Sequence, residues 1–376
     1  MKKEVQPDLL PARPEREIGH LRKLSARVGS NPLLVQASNG NTSIKLEGIL
    51  WIKGSGKWLA RASQEEMLVP VALSEARKAL QQGREISRPH VSITGMPPSI
   101  ETAMHAVLPH RIVIHVHSIN TIAWAIRLDG LDELAARLKG LRWQWIPYVA
   151  SGVPLAREIG MAVARAKETD VFILANHGLV VCGEDCAATE QLLCDVEHRL
   201  AIPPRTFPVP DGAALEKIAS FTGWERPGFD RLHALATDEA SLKILKGGVL
   251  YPCQAIFLGV EVLVAPPTLA ASRLKEYSGG KEHTPPFVVV ERTGVMLQEK
   301  MTSAQRATLL GLVEVVQRTE ESMRLRYLTR EEVQKVLNEG GRGYRDEVEK
   351  RANSATAMQA FDQKRETECS RNTCHP

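Results

Sequence analysis

The stretch Arg111-Ile112-Val113-Ile114-His115-Val116-His117 sets two imidazoles two residues apart in an apolar run. Its residue types predict a strand. Side chains alternate across a strand, so His115 and His117 share one face while Ile112, Ile114 and Val116 occupy the other. This restricts the folds open to the chain. The strand must lie inside a sheet that has a core against one face and room for two polar rings on the other. A single histidine there would read as a hydrogen-bonded core residue. Two on one face can share a cation, because imidazole is the usual ligand for zinc and its neighbours.

Two further groups join the pair. Pro97-Pro98 cannot continue a helix, Ser99 reads as an N-cap, and residues 100–108 read as the helix that follows. Glu101 then falls in the first turn, where the helix dipole favours an ionised carboxylate. A first-turn Glu is also common with no metal nearby. His105, one turn later, reads as a supporting or core residue and not as a ligand. Val171-Phe172-Ile173-Leu174-Ala175-Asn176 predicts another apolar strand, closed by His177-Gly178. Three His with one position open is the donor set of a catalytic zinc rather than a closed structural one. Zinc is therefore the expected cofactor, and Glu101, His115, His117 and His177 are its expected ligands.

Two polar loops precede these residues. Asn39-Gly40-Asn41-Thr42-Ser43 is a tight turn whose N–H groups and side chains suit phosphate oxygens, although an Asn-Gly turn alone reads as a hairpin. Lys53-Gly54-Ser55-Gly56-Lys57 follows the strand Ile49-Leu50-Trp51-Ile52. It is too short for a Walker loop, yet its glycines permit close backbone approach.

Pro98-Ser99-x-Glu101, His115-x-His117 and Asn176-His177-Gly178 resemble the zinc motifs of class II aldolases of the fuculose-phosphate type, the aldolase/adducin family. The two loops resemble that family's two phosphate loops. The five motifs stand in family order within about residues 16–200. The resemblance implies an α/β fold with a central mixed or antiparallel sheet flanked by helices, a zinc ion, and a homo-oligomer, usually a tetramer. It implies that Asn41, Ser55, Gly56 and Ser99 hold the substrate phosphate, and that Glu101 is a ligand in the empty site and the general base once displaced. The chain departs from the family at two points. Ile100 replaces a serine that helps bind phosphate, and no tyrosine is placed as the proton donor. Tyr148 reads as structural, and Tyr251 lies outside the matching region.

Composition excludes other classes. The 376 residues are 43% hydrophobic and 24% charged, with a net charge of +4 spread along the chain. That supports a large core and gives no basic surface for nucleic acid. No run of eighteen apolar residues predicts a membrane span, and the first residues lack a signal-peptide core. The six cysteines form no Cys-x-x-Cys pair and read as reduced cytoplasmic thiols. Cys369, Cys374 and His375 lack a convincing metal spacing.

Beyond a proline-rich linker at residues 202–212, Phe287-Val288-Val289-Val290 and Thr293-Gly294 echo the strand and turn around His177. Residues 250–258 loosely echo the strand before the His pair, with Ala255-Ile256-Phe257-Leu258 read as a strand. Residues 213–330 are thus expected to be a smaller α/β unit, a degenerate copy without metal, similar to the later aldolase region of long aldolase–dehydrogenase fusions. Gly340-Gly341 is expected to stop a helix begun at Thr329. Residues 342–376 are expected to be a charged tail, a solvated helix and then disorder. The expected function is zinc-dependent retro-aldol cleavage of a phosphorylated ketose or sugar acid. The alternatives are an epimerase, decarboxylase or dehydratase using the same metal, or an adducin-like interaction module.

Overall fold

A computed structural model describes residues 14–86, 96–277 and 284–352. Helix α1 (Glu15–Ser30) leads into the hairpin β1 (Asn41–Leu46) and β2 (Ile49–Lys53), then β3 (Leu68–Ala72) and α2 (Leu73–Gln81). There follow α3 (Thr102–Val107), β4 (Ile112–Val116), α4 (Ile119–Ala125), α5 (Gly130–Arg137), β5 (Trp143–Ile146), α6 (Val153–Arg165), β6 (Val171–Leu174), β7 (Gly178–Gly183) and α7 (Cys186–Leu200). Seven strands form one mixed sheet in the order β3-β2-β1-β4-β7-β6-β5. Only β5 and β6 run parallel; the other neighbours are antiparallel.

The alternation read from the sequence decides which layer each side chain enters. Ile112, Ile114 and Val116 join Leu21 and Leu24 of α1 and Val196 of α7 in one core cluster. Val113 points the other way, into a cluster with Met104 of α3 and Leu155 and Ile159 of α6. Helices thus cover both faces, as amphipathic elements flanking a buried sheet must. The histidines lie on the α3 and α6 side.

The rest of the chain runs α8 (Gly212–Thr222), α9 (Ala234–Thr237), α10 (Glu239–Lys246), β8 (Leu263–Ala265), α11 (Pro267–Glu276), β9 (Phe287–Val290), β10 (Gly294–Leu297), α12 (Ser303–Gln317), α13 (Arg330–Val336) and α14 (Arg342–Ala352). Strands β8 and β9 pair in parallel and β9 and β10 antiparallel, the same pairing as β5, β6 and β7. The turns also correspond. Asn176 has φ 52° before His177-Gly178, and Arg292 has φ 56° before Thr293-Gly294. In the two hairpins Leu174 faces Gly178 and Val290 faces Gly294. Each hairpin leads into a helix of 15 residues.

Three expectations are corrected. Residues 254–258 are not a strand but a π-helical turn, Gln254–Leu258. Phe257 and Leu258 are buried in the largest core cluster beside α4 and α12, so the run is apolar because it is covered, not because it alternates. Gly340-Gly341 does not end the chain's helical path: a second π-helical turn, Leu337–Gly341, carries α13 into α14. Helix α14 is present, but it is docked. Val348 is fully buried in the same core cluster, and the Tyr344 ring stands edge-on to Phe257 at 6.0 Å between centroids. Residues 353–376, including Cys369, Cys374 and His375, lie outside the described residues, as do residues 1–13.

Candidate metal centre

Strand β4 sits mid-sheet, between β1 and β7. His115 is paired with Asn41 of β1 on one side and Val180 of β7 on the other. His117 lies one residue past the strand end, and His177 sits in the turn before β7. The three imidazoles stand in T-shaped pairs, with ring planes 62°, 78° and 79° apart and centroids 5.1, 5.0 and 4.9 Å apart. Their nitrogens lie within 4.8 Å of one another, and all three residues are buried. The Glu101 carboxylate closes the set. Its Oε2 is 3.3 Å from His115 Nε2, and its Oε1 is 3.4 Å from His177 Nε2.

Each donor is aimed by a partner. His115 Nδ1 lies 3.0 Å from the Leu179 carbonyl, which can only accept, so Nδ1 carries the proton. Nε2 faces the Glu101 carboxylate at 3.3 Å and is buried without a hydrogen bond. A buried polar atom left unpaired is costly unless something binds it. His117 Nδ1 meets the Cys253 thiol at 3.3 Å. The turn that carries His177 is held by Asn176, whose amide donates to the carbonyls of Leu250 and Arg326, each at 2.8 Å, and whose Oδ1 accepts from Arg326 at 3.1 Å. Gly178 allows that turn to approach β4. A Cβ there would lie 2.4 Å from the Val116 carbonyl oxygen.

Glu101 is aimed by a relay that begins in β1. Ser43 meets His105 Nδ1 at 2.7 Å, and His105 Nε2 bonds Asn41 Oδ1. The ionised Glu101 carboxylate can only accept, so the Nδ2 end of the Asn41 amide faces it and the Oδ1 end faces His105. Asn41 Nδ2 then donates to Glu101 Oε2 at 2.7 Å and to Ser99 Oγ at 3.1 Å. Ser151 donates to Glu101 Oε1 at 3.3 Å. Helix α3 begins two residues later than the sequence suggested, with Glu101 itself at the N-cap position. Ser99 is not the cap, because its hydroxyl is engaged by Asn41 and by the Glu101 N–H. His105 takes the supporting role expected of it.

Charge is arranged to suit a cation. Burial pushes His117 and His177 below the ordinary imidazole range, His177 to about 4, so the rings are neutral donors. Burial works against the charge on Glu101, but His115, His177, His117 and the Asn41 amide outweigh it and hold the carboxyl well below the usual range. Three imidazoles and one carboxylate, with the buried and unbonded His115 Nε2 facing the centre, fit a divalent metal.

The two loops meet beside this centre. Ser99 N–H donates to the Lys53 carbonyl at 3.1 Å, Gly54 pairs with Pro98, and Ser55 N–H donates to the Pro97 carbonyl at 2.9 Å. Gly56 completes the turn at φ 70°. Lys53 is buried and tied to the carbonyls of Ser38 and Lys57, and its burial pushes the amine down to about 7. The structure therefore gathers Asn41, Ser99 and Glu101 directly and sets the Ser55 and Gly56 loop against them. Ser151 and Cys253 carry no signal in the sequence, since they reach the site from distant segments.

Residues 21–202 match the Class II Aldolase and Adducin N-terminal domain. The "Uncharacterized oxidoreductase YuxG" of Bacillus subtilis (strain 168) is 28% identical over 174 residues, which are 42% of this chain and 25% of that protein. The chain thus spans about a quarter of that relative's length. The N-terminal Class II Aldolase domain of a conserved protein from Thermoplasma acidophilum is 23% identical, with TM-score 0.44, over 52% of this chain and 98% of that one. L-fuculose-1-phosphate aldolase from Thermus thermophilus is 18% identical, with TM-score 0.37, over 50% of this chain and 92% of that one.

Proposed function

We propose, from the match of residues 21–202 to the Class II Aldolase and Adducin N-terminal domain, that the chain is a zinc-dependent lyase that breaks a carbon–carbon bond in a ketose or sugar acid by retro-aldol cleavage. One observation carries the reading: His115, His117, His177 and Glu101 converge with His115 Nε2 buried and unbonded. A non-catalytic interaction module has no use for that arrangement, which costs stability when nothing is bound.

The three imidazoles would hold a zinc ion, which would supply Lewis-acid stabilisation of negative charge growing on the substrate's carbonyl oxygen. The chain supplies the proton handling. Glu101 is ionised, buried and held at Oε2 by the Asn41 amide, so its orientation is fixed before substrate arrives. In the condensation direction it removes the proton from the carbon next to the carbonyl. In cleavage it returns that proton to the same carbon after the aldehyde half has left. Ser151 and Asn41 keep the carboxylate in place.

Carbon–proton exchange tests this directly. Dihydroxyacetone incubated with the protein in deuterated water should exchange a carbon-bound proton, and Glu101→Gln should slow that exchange by about 10²–10⁴-fold while keeping the fold and most of the metal. Exchange at the wild-type rate in the variant removes Glu101 from the role of base.

A further inference from the structure

The turn that carries His177 is gripped by one residue from far along the chain. Asn176 stands at φ 52°, in the left-handed region, and is fully buried. Arg326 closes both ends of its amide. Asn176 Nδ2 donates to the Arg326 carbonyl at 2.8 Å, and Asn176 Oδ1 accepts from the Arg326 guanidinium at 3.1 Å, across 150 residues of sequence. The same stretch lies along the end of α4. The Arg326 N–H donates to the Ile126 carbonyl at 2.7 Å, and the Asn176 N–H donates to the Ala125 carbonyl at 3.2 Å.

The guanidinium is itself held. Glu332 Oε1 of α13 accepts from it at 2.6 Å, while Glu332 Oε2 accepts the Thr329 N–H at 2.9 Å in the capping box of that helix. The Tyr148 ring lies under the guanidinium at 5.0 Å from carbon to centroid, a cation–π contact. Tyr148 stands three residues before Ser151, the donor to Glu101 Oε1. An arginine suits this place because its planar fork can meet an amide oxygen, a carboxylate and a ring face at once.

The second sheet shows what such a turn needs when no imidazole follows it. Arg292, at φ 56°, occupies the place of Asn176, and its N–H donates to the Ala236 carbonyl of α9 at 2.9 Å, as Asn176 does to α4. Its side chain is 84% exposed and reaches Glu239 at 3.5 Å on the surface. The β9–β10 hairpin forms all the same. The shape of the turn therefore does not demand a clamp on this residue. What differs is the residue that follows: His177 in the first sheet, Thr293 in the second.

We propose that Arg326 is a positioning residue for the metal centre. By holding both ends of the Asn176 amide it fixes the His177 imidazole against His115 and His117, so that metal affinity depends on a side chain from the C-terminal part of the chain. The proposal rests on the metal reading above and not on the identity of the substrate.

Zinc affinity of the full-length chain, measured by chelator competition beside the melting temperature of the metal-free protein, tests it. Arg326→Ala should weaken zinc about 10–100-fold, the loss that follows removal of an outer partner of a metal ligand. Arg326→Lys keeps a donor and the charge, and should bind more tightly than Arg326→Ala. Tyr327→Phe is the control for stability alone. It removes the hydroxyl that donates to the Ile244 carbonyl of α10 at 3.0 Å, so it should lower the melting temperature and leave zinc affinity unchanged. Absorption of the cobalt(II)-substituted protein gives a second readout. Its ligand-field bands report donor geometry, and they should shift in Arg326→Ala and match wild type in Tyr327→Phe. Wild-type affinity and spectrum in Arg326→Ala, or equal changes in Tyr327→Phe, overturn the proposal. If Arg326→Ala does not fold, Arg326→Lys and Glu332→Gln decide: both should weaken zinc, and wild-type affinity in both overturns it. A wild type that binds no zinc overturns the metal reading and the proposal with it, whereas equal zinc binding by wild type and Arg326→Ala overturns the proposal alone.

Discussion

Gly178→Ala adds one methyl group at the closest approach between the His177 turn and β4. The new Cβ would lie 2.4 Å from the Val116 carbonyl oxygen and 3.2 Å from His117 Cα, where ordinary contact begins at 3.4 Å. The difference, 3.4 less 2.4, requires the turn to withdraw by about 1 Å, since both obstacles are backbone atoms and no side chain can swing aside. Such overpacking costs about 1–3 kcal/mol. The withdrawal carries His177 away from His115 and His117, whose donor nitrogens now lie within 4.8 Å. Metal affinity should fall by at least the roughly 10–100-fold that loss of an outer partner of a metal ligand costs. Competition against a chromophoric chelator measures the affinity, and thermal melting of the metal-free protein measures the packing cost. Gly19→Ala is the control. A Cβ there meets nothing within 4 Å, it lies inside α1, and it should stabilise by up to about 1 kcal/mol. If Gly178→Ala binds zinc as tightly as wild type and melts with it, the close approach is not what positions His177.

Three further outcomes follow from the site. Cys253→Ala removes the partner of His117 Nδ1 and should weaken zinc about tenfold without loss of fold, read by the same chelator competition; unchanged affinity would show that the thiol does not hold the ring. The metal-free protein should lose stability on acidification from pH 6.5 to 4: His177 has a folded pKa of about 4 against 6.5, so in that window the unfolded chain binds more protons, and (6.5 − 4) × 1.36 gives about 3 kcal/mol. The loss should shrink in His177→Gln, and an identical acid response in wild type and variant would contradict the assignment. Thr293→Ala should leave zinc content and rate unchanged, because Thr293 stands at the corresponding turn of the second sheet, where its hydroxyl bonds the Glu291 carbonyl; a fall in zinc content with the fold intact would refute this.

What could be read from sequence was what depends on local spacing. The two-residue interval of His115 and His117 fixes their common face, and the apolar run on the opposite face supplies the core that buries the strand. The Asn-His-Gly turn was visible because it interrupts an apolar hairpin. The start of α3 was misplaced because Ser99 looks like a cap to its neighbours, while its hydroxyl is claimed by Asn41, 58 residues earlier. Residues 254–258 were misread because a short apolar run has no period that separates a strand from a covered helical turn. Cys253 and Arg326 were invisible as site residues for another reason. They touch the site only because the C-terminal elements fold back over it, at separations of 136 and 150 residues from their partners.

The central claim is that His115, His117, His177 and Glu101 hold a divalent metal that the reaction requires. Elemental analysis of the purified full-length chain, wild type beside His115→Ala, tests it most directly. About one zinc per chain is expected in wild type, and less in the variant, which loses one of the four donors. Equal metal content in both proteins, or turnover by wild type stripped of metal, would contradict the claim.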